Sequence, residues 1–258
     1  MRDSPTLITS AANPLIAELR KLASNSTAYR KQGRVWLEGD HLCRAALQRG
    51  HTPQLALFCQ SFWPVAQSIW AQAAPKNIVV PDALFAQISG LESPARMGFV
   101  LSVPEAAALQ PVAATVILDR VQDAGNVGSI LRSAAAFGFA QVIALKGTAA
   151  LWSPKVLRAG MGAHFALQLL EGIELGMLDA LQTPLVVTSS HEGAVLGTTR
   201  LPSPCAWVMG HEGQGVSAAL MRKAACMVRI GQPGGEESLN VAAAAAICLH
   251  ASSMQVGV

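Results

Sequence analysis

Residues 115–145 read TVILDRVQDAGNVGSILRSAAAFGFAQVIAL. The stretch opens and closes on continuous apolar runs, TVILD (115–119) and QVIAL (141–145), as strands buried on both faces do. Between them lie a polar turn with Gly125 and Gly128 and a helix-like segment over roughly 128–137. Strand, crossover helix and strand in so short a length form a unit whose strands run parallel. The alternation continues downstream. LVVTSS (185–190), CAWVMG (205–210) and MVRIG (227–231) read as further strands, and 153–162, 216–225 and 238–253 as helices. The fold class is α/β, with a parallel sheet covered on both faces. Such sheets bind ligands beyond the carboxyl ends of their strands, so the loops there are where chemistry is sought.

Upstream, RVWLEG (34–39), LALFCQ (55–60) and NIVVP (77–81) read as strands. DHLCRAALQRG (40–50) reads as a helix capped by Asp40 and Gly50. SVPEAAALQPVAA (102–114) loses periodicity between two prolines and reads as a connection. The expected organisation is a small α/β domain over 1–103, a linker at 104–111 and a larger domain over 112–258.

The composition, 51% hydrophobic and 14% charged over 258 residues, supports a sizeable core and excludes a disordered chain. No apolar run approaches the ~20 residues of a membrane span, and the first residues lack a secretory core. The five cysteines are scattered, with no paired spacing. They read as reduced thiols in a cytoplasmic protein, not as a metal site. The net charge of +3 divides into +4 over residues 1–103 and −1 over the remainder. Seven basic residues fall within 20–49, among them Arg30, Lys31 and Arg34. That segment is either a handle for a polyanion or a solvated helix face.

Three loops after strands stand out. The first follows TVILD, where Asp123 or Asn126 could cap a helix that also carries Arg132. An arginine near a helix N-terminus opposes the dipole, so an anion is the better reason for it. The second, Gly210-His211-Glu212-Gly213-Gln214-Gly215, matches neither dinucleotide nor phosphate-loop fingerprints. Its glycines allow close backbone approach, and Glu212 is its notable side chain. The third, GQPGGEESLNV (231–241), is expected to lead into a helix capped by Ser238, with Glu236 and Glu237 favouring the dipole and Asn240 facing outward from the first turn.

Taken together and in order, N-x-G-x-x-x-R at 126–132, G-x-E-G-x-G at 210–215 and E-S-L-N-V at 237–241 resemble the three motifs of the SpoU (TrmH-like) RNA ribose methyltransferases of the SPOUT superfamily. The resemblance spans about 112–253, including SPKVLRAGMGAHF (153–165). Residues 13–103 resemble, less specifically, the L30e-like RNA-binding domain that precedes the catalytic domain in many members. The resemblance implies methyl transfer from S-adenosylmethionine to a ribose 2′-hydroxyl, in a homodimer whose C-terminal domain carries a deep trefoil knot. No metal and no membrane enter. The RNA would be ribosomal, with transfer RNA as the alternative. A non-catalytic RNA binder on the same fold and an unrelated nucleotide-binding α/β enzyme are the rival classes.

By motif, Asn126, Arg132, Glu212, Ser238 and Asn240 would form the active site. Met209, Gly210, Gly215, Ile230, Ser238, Leu239 and Asn240 would surround the cofactor, and Arg30, Lys31 and Arg34 would meet RNA. Three positions depart from the family pattern: Ala124 replaces a proline, Gly231 stands where Ile-Pro is usual, and Ala242 replaces a serine. A guanidinium pKa above ~12 argues that Arg132 anchors phosphate and stabilises developing alkoxide instead of acting as a base.

Overall fold

The structure is a computed structural model that describes residues 4–105, 108–189, 192–234 and 238–255. In chain order the first elements are β1 (Thr6–Leu7), α1 (Pro14–Ser24), α2 (Ala28–Gln32), β2 (Arg34–Glu38), α3 (Asp40–Gln48), β3 (Leu55–Cys59), α4 (Trp63–Trp70), β4 (Asn77–Val80), α5 (Asp82–Ala86) and β5 (Met97–Ser102). There follow β6 (Thr115–Leu118), α6 (Ala124–Ala136), β7 (Gln141–Leu145), α7 (Pro154–Gly160), β8 (Gln168–Ile173), β9 (Leu185–Thr188), β10 (Ala194–Val195), β11 (Ala206–Met209), α8 (Ala218–Lys223), β12 (Cys226–Arg229) and α9 (Val241–Gln255). Contacts divide the chain into two units, Met1–Glu105 with Trp152–Phe165, and Ala106–Leu151 with Ala166–Val258. Residues 152–165, which the sequence pattern assigns to the second domain, thus pack within the first unit, where α7 lies on α1 and β2.

The first unit is built on a mixed five-stranded sheet in the order β1-β4-β3-β5-β2. All of β3 is buried, between parallel β4 and antiparallel β5. Asn13 caps α1 by accepting from Leu15 N at 3.0 Å, and Ile16, Leu19, Leu22 and Ala23 turn its apolar face inward. Asp40 does not cap α3. Gly39, at φ +93°, holds the cap position and Asp40 is the first helical residue, where its charge suits the dipole. Arg34 pairs with Glu18 across the unit. Arg30 and Lys31 are exposed on α2, and the Arg30 guanidinium lies 5.6 Å from the Tyr29 ring centroid.

The second unit contains the expected parallel sheet, seven-stranded in the order β10-β12-β9-β11-β6-β7-β8. The pattern of 115–145 is realised as β6-α6-β7, with Val116 opposite Val142 and Ile117 opposite Ile143. Period-two alternation sends side chains to opposite faces. Ile117, Ile143, Val187 and Val208 join Leu220 of α8 in one core cluster. Trp207, between Ala206 and Val208, faces the other way, and its indole N–H donates to Ser252 of α9 at 2.8 Å. Helix α9 also packs on α6. Both faces are therefore covered, which is why β6, β7 and β11 carry no polar alternation. Strand β8, QLLEGI, is absent from the sequence-based assignment because Glu171 and Gly172 break its apolar run.

Strand order places the chemistry. From β6 the chain steps outward to β7 and β8, then returns to the other side of the sheet, where β11 inserts between β9 and β6. The order reverses at the β6–β11 boundary, and a crevice opens at the carboxyl ends of the strands at such a reversal. Asp119 and Gly210 leave adjacent strands there, since Met209 pairs with Leu118. Among the described residues no helix is long and apolar enough to cross a membrane.

Candidate functional site

The loops after β6 and β11 are bound by a buried carboxylate. Asp119, 3% exposed, accepts from Ser217 N at 2.6 Å and from Arg120 Nε at 3.0 Å. Arg120 adopts φ +61° and donates through Nη1 to Gln214 Oε1 at 3.0 Å. A left-handed non-glycine residue carries a conformational cost and persists when its surroundings hold it. Asp119, Arg120 and Gln214 are absent from the sequence-based candidates. The available signal was a charged pair directly after a buried strand.

Within the second loop, His211 and Gly215 exchange backbone hydrogen bonds at 3.0 and 2.8 Å. His211 Nδ1 accepts from Gly213 N at 3.0 Å and Gln214 N at 3.2 Å, so this histidine shapes the turn. Gly215 sits at φ +66°. A Cβ at Gly210 would lie 2.3 Å from Gly215 C and Val216 N. Both atoms are backbone and cannot step aside. Gly210→Ala is expected to lower stability by about 1–3 kcal/mol and to displace residues 210–216, read by thermal unfolding and by the crystal structure of the variant.

The three motifs meet in one hydrogen-bonded chain. Asp123 caps α6, accepting from Asn126 N at 2.8 Å, so the helix begins at Ala124, ahead of the expected 128. Ala124 is the first helical position, the place that tolerates proline best. Glu212 accepts from Gln122 N at 3.2 Å, Asp123 N at 3.0 Å and Asn126 Nδ2 at 3.2 Å. Asn126 Oδ1 in turn accepts from Asn240 Nδ2 at 3.0 Å. Asn240 Oδ1 accepts from Ala242 N at 2.9 Å and Ala243 N at 3.2 Å. Asn240, not Ser238, is therefore the cap of α9, and its side chain faces the site instead of pointing outward. Each amide has one orientation that satisfies its neighbours, from the helix N–H groups through Asn240 and Asn126 to the carboxylate.

Burial pushes the Glu212 carboxyl up, but the hydrogen bonds from Asp123 N, Asn126 and Gln122 N outweigh it and hold it below the ordinary glutamate value. A lowered carboxyl pKa contributes stability above the unfolded value and loses it as pH falls through the folded value. Glu212→Gln, which cannot accept at both oxygens, should melt below wild type at neutral pH. The two melting curves should converge on acidification through the lowered pKa. A melting-temperature series against pH checks this.

Beside this chain lies a cavity of about 630 Å³. Thr188 at the end of β9 and Ser189 just after it line it, with residues 210–216 from the second loop, Ile230 and Gln232 after β12, residues 238–240 before α9, and Val241 and Ala244 of α9. Gly210, Gly215, Ile230, Ser238, Leu239, Asn240 and Glu212 thus share one cavity. Met209 does not line it and is fully buried in β11. Arg132 is exposed two turns along α6, away from the lining, and makes no hydrogen bond or ion pair among the described residues. Ser238 is exposed at the cavity. Glu236 and Glu237 lie outside the described residues. The volume is that of a cofactor-sized site. Val216, Met221, Ile230 and Leu239 supply apolar faces to it, and the amides and carboxylate supply polar ones.

Comparison with known proteins places the geometry in context. Residues 113–250 match the SpoU rRNA methylase family and residues 13–97 the MRM3-like substrate binding domain. An uncharacterized tRNA/rRNA methyltransferase of Synechocystis is 31% identical over 96% of this chain and 93% of its own. The 23S rRNA (guanosine(2553)-2′-O)-methyltransferase RlmP of Bacillus subtilis is 29% identical over 94% and 97%. A crystal structure of an RNA 2′-O ribose methyltransferase superposes with a TM-score of 0.81 at 32% identity, covering 97% of this chain and 99% of that one.

Proposed function

Because the chain belongs to the SpoU rRNA methylase family, we propose that it transfers a methyl group from S-adenosylmethionine to a ribose 2′-hydroxyl of ribosomal RNA. The observation that carries the proposal is the chain Glu212–Asn126–Asn240, which joins all three motifs and whose two ends, Glu212 and Asn240, line a cofactor-sized cavity. When bound, S-adenosylmethionine supplies a methyl group already activated on a sulfonium. The cavity fits such a group: apolar residues can sandwich a purine, and the backbone of the loops around Gly210, Ile230 and Leu239 can hold the rest.

The protein has to align a hydroxyl and let its proton leave. Asn240 and Asn126 are fixed in orientation, and Ser238, exposed at the cavity, can turn its hydroxyl to the ribose. Arg132 is assigned to the neighbouring phosphate, where a permanent charge in fork geometry is most useful. Glu212, ionised, holds the Asn126 amide from behind.

The homodimer and the knotted threading of the second unit are part of the same proposal. Ile247 and Met254, 42% and 61% exposed on α9 one turn-spaced row from Ala243, support a partner on that face. The first unit is assigned to RNA, as an L30e-like substrate-binding domain. Arg30 and Lys31, both exposed on α2, are assigned as the handles. Replacing both with alanine should weaken RNA binding and flatten its salt dependence by roughly 0.7–0.9 in slope per lost contact, with cofactor affinity unchanged. Filter binding across a salt series reads this.

The function is tested with total RNA from a strain lacking the protein, incubated with purified enzyme and labelled S-adenosylmethionine, then separated by size. Alkali-resistant label in ribosomal RNA is the expected result. Label in transfer RNA would move the target, and no label despite cofactor binding would return the chain to RNA binding without catalysis.

A further inference from the structure

Most polar side chains that line the cavity are already committed. Glu212 and Asn240 belong to the motif-joining chain. His211 Nδ1 closes its own turn, Gln214 Oε1 accepts from Arg120, and the Thr188 hydroxyl donates to Val208 O at 3.2 Å. Gln232 differs. Its Oε1 is buried and has no hydrogen-bond partner among the described residues, although the residue lines the cavity two positions after Ile230. A buried acceptor left unpaired is costly, and a ligand that brings a donor relieves it.

We infer that Gln232 reads the purine of the cofactor, its carbonyl accepting from the exocyclic amine of adenine. The inference rests on the methyltransferase reading and deepens it. A carboxamide is the side chain whose donor and acceptor match an adenine edge, the amine donating to the carbonyl while a ring nitrogen accepts from the NH₂ group. Ile230 and Leu239, lining the same cavity, offer the flat apolar contacts a purine needs. A site that hydrogen-bonds a ligand group discriminates against an analogue lacking that group, because its own polar atom is then stranded.

The test is a binding measurement by calorimetry, independent of turnover. The probes are S-adenosylhomocysteine and its 6-desamino analogue, which keeps the ring and lacks the amine. Wild type is expected to prefer the adenine compound by roughly tenfold or more. Gln232→Leu should bind the two equally, near the affinity of wild type for the desamino analogue, with an unchanged melting temperature. A Leu variant that keeps the preference overturns the inference. So does a wild type that binds both compounds alike, a result that needs no variant to fold. Failure of the wild type to bind either compound overturns the methyltransferase reading itself, and this inference with it.

Discussion

Asn240→Ala is expected to reduce methyl transfer by about 10²-fold or more, the effect of losing the alignment of a reacting group. Asn240 does two separable things. Its Oδ1 caps α9 through Ala242 N and Ala243 N, and its Nδ2 fixes the Asn126 amide at 3.0 Å. Loss of a cap costs about 1 kcal/mol, or roughly 2–4 °C in a protein of this size. Asn240→Ser separates the two, since a serine hydroxyl can cap the helix but cannot reach Asn126. The serine variant should recover the melting temperature and not the rate. Single-turnover kinetics with labelled cofactor, beside thermal unfolding, reads both. A serine variant as active as wild type would show that the link between the first and third motifs does not serve the reaction.

Arg132→Ala should lower the single-turnover rate by about 10²–10³-fold, the usual loss when one group that stabilises developing charge is removed. Stability should hardly change, because Arg132 is exposed and makes no hydrogen bond or ion pair among the described residues. An exposed arginine with so little intramolecular use is available to a substrate phosphate. Arg132→Lys keeps the charge and loses the fork, so partial activity at neutral pH is expected, with no strong recovery as pH rises. Strong rescue at raised pH would instead make this residue the base. Wild-type activity in the alanine variant would remove Arg132 from the mechanism.

The two experiments probe opposite sides of the site. Asn240 belongs to the rigid part, where Asp119, Arg120 and Gln214 bind the first loop to the second and Glu212 ties both to α6. Arg132 stands outside it. If both substitutions cut the rate while only Asn240→Ala moves the melting temperature, preorganisation and substrate anchoring are separate contributions.

The sequence alone determined the sheet and where to look. TVIL, QVIAL and AWVM are apolar without alternation because both faces of β6, β7 and β11 are covered, and that burial is written in consecutive residues. The polar loops after β6, β11 and β12 marked the carboxyl ends where a parallel sheet exposes its ligand side. Tertiary structure decided the rest. Asn240 proved to be the cap of α9 and the partner of Asn126, 114 positions away. Arg120 and Gln214 are 94 positions apart, and Asn126 and Glu212 are 86 apart. Segment 152–165 packs with the first unit despite lying inside the second in sequence. Periodicity records only whether a residue faces a core, because side-chain direction follows from local backbone geometry. Which distant side chain supplies a hydrogen bond depends on strand order, and here that order reverses between β6 and β11, bringing together loops that the chain keeps far apart.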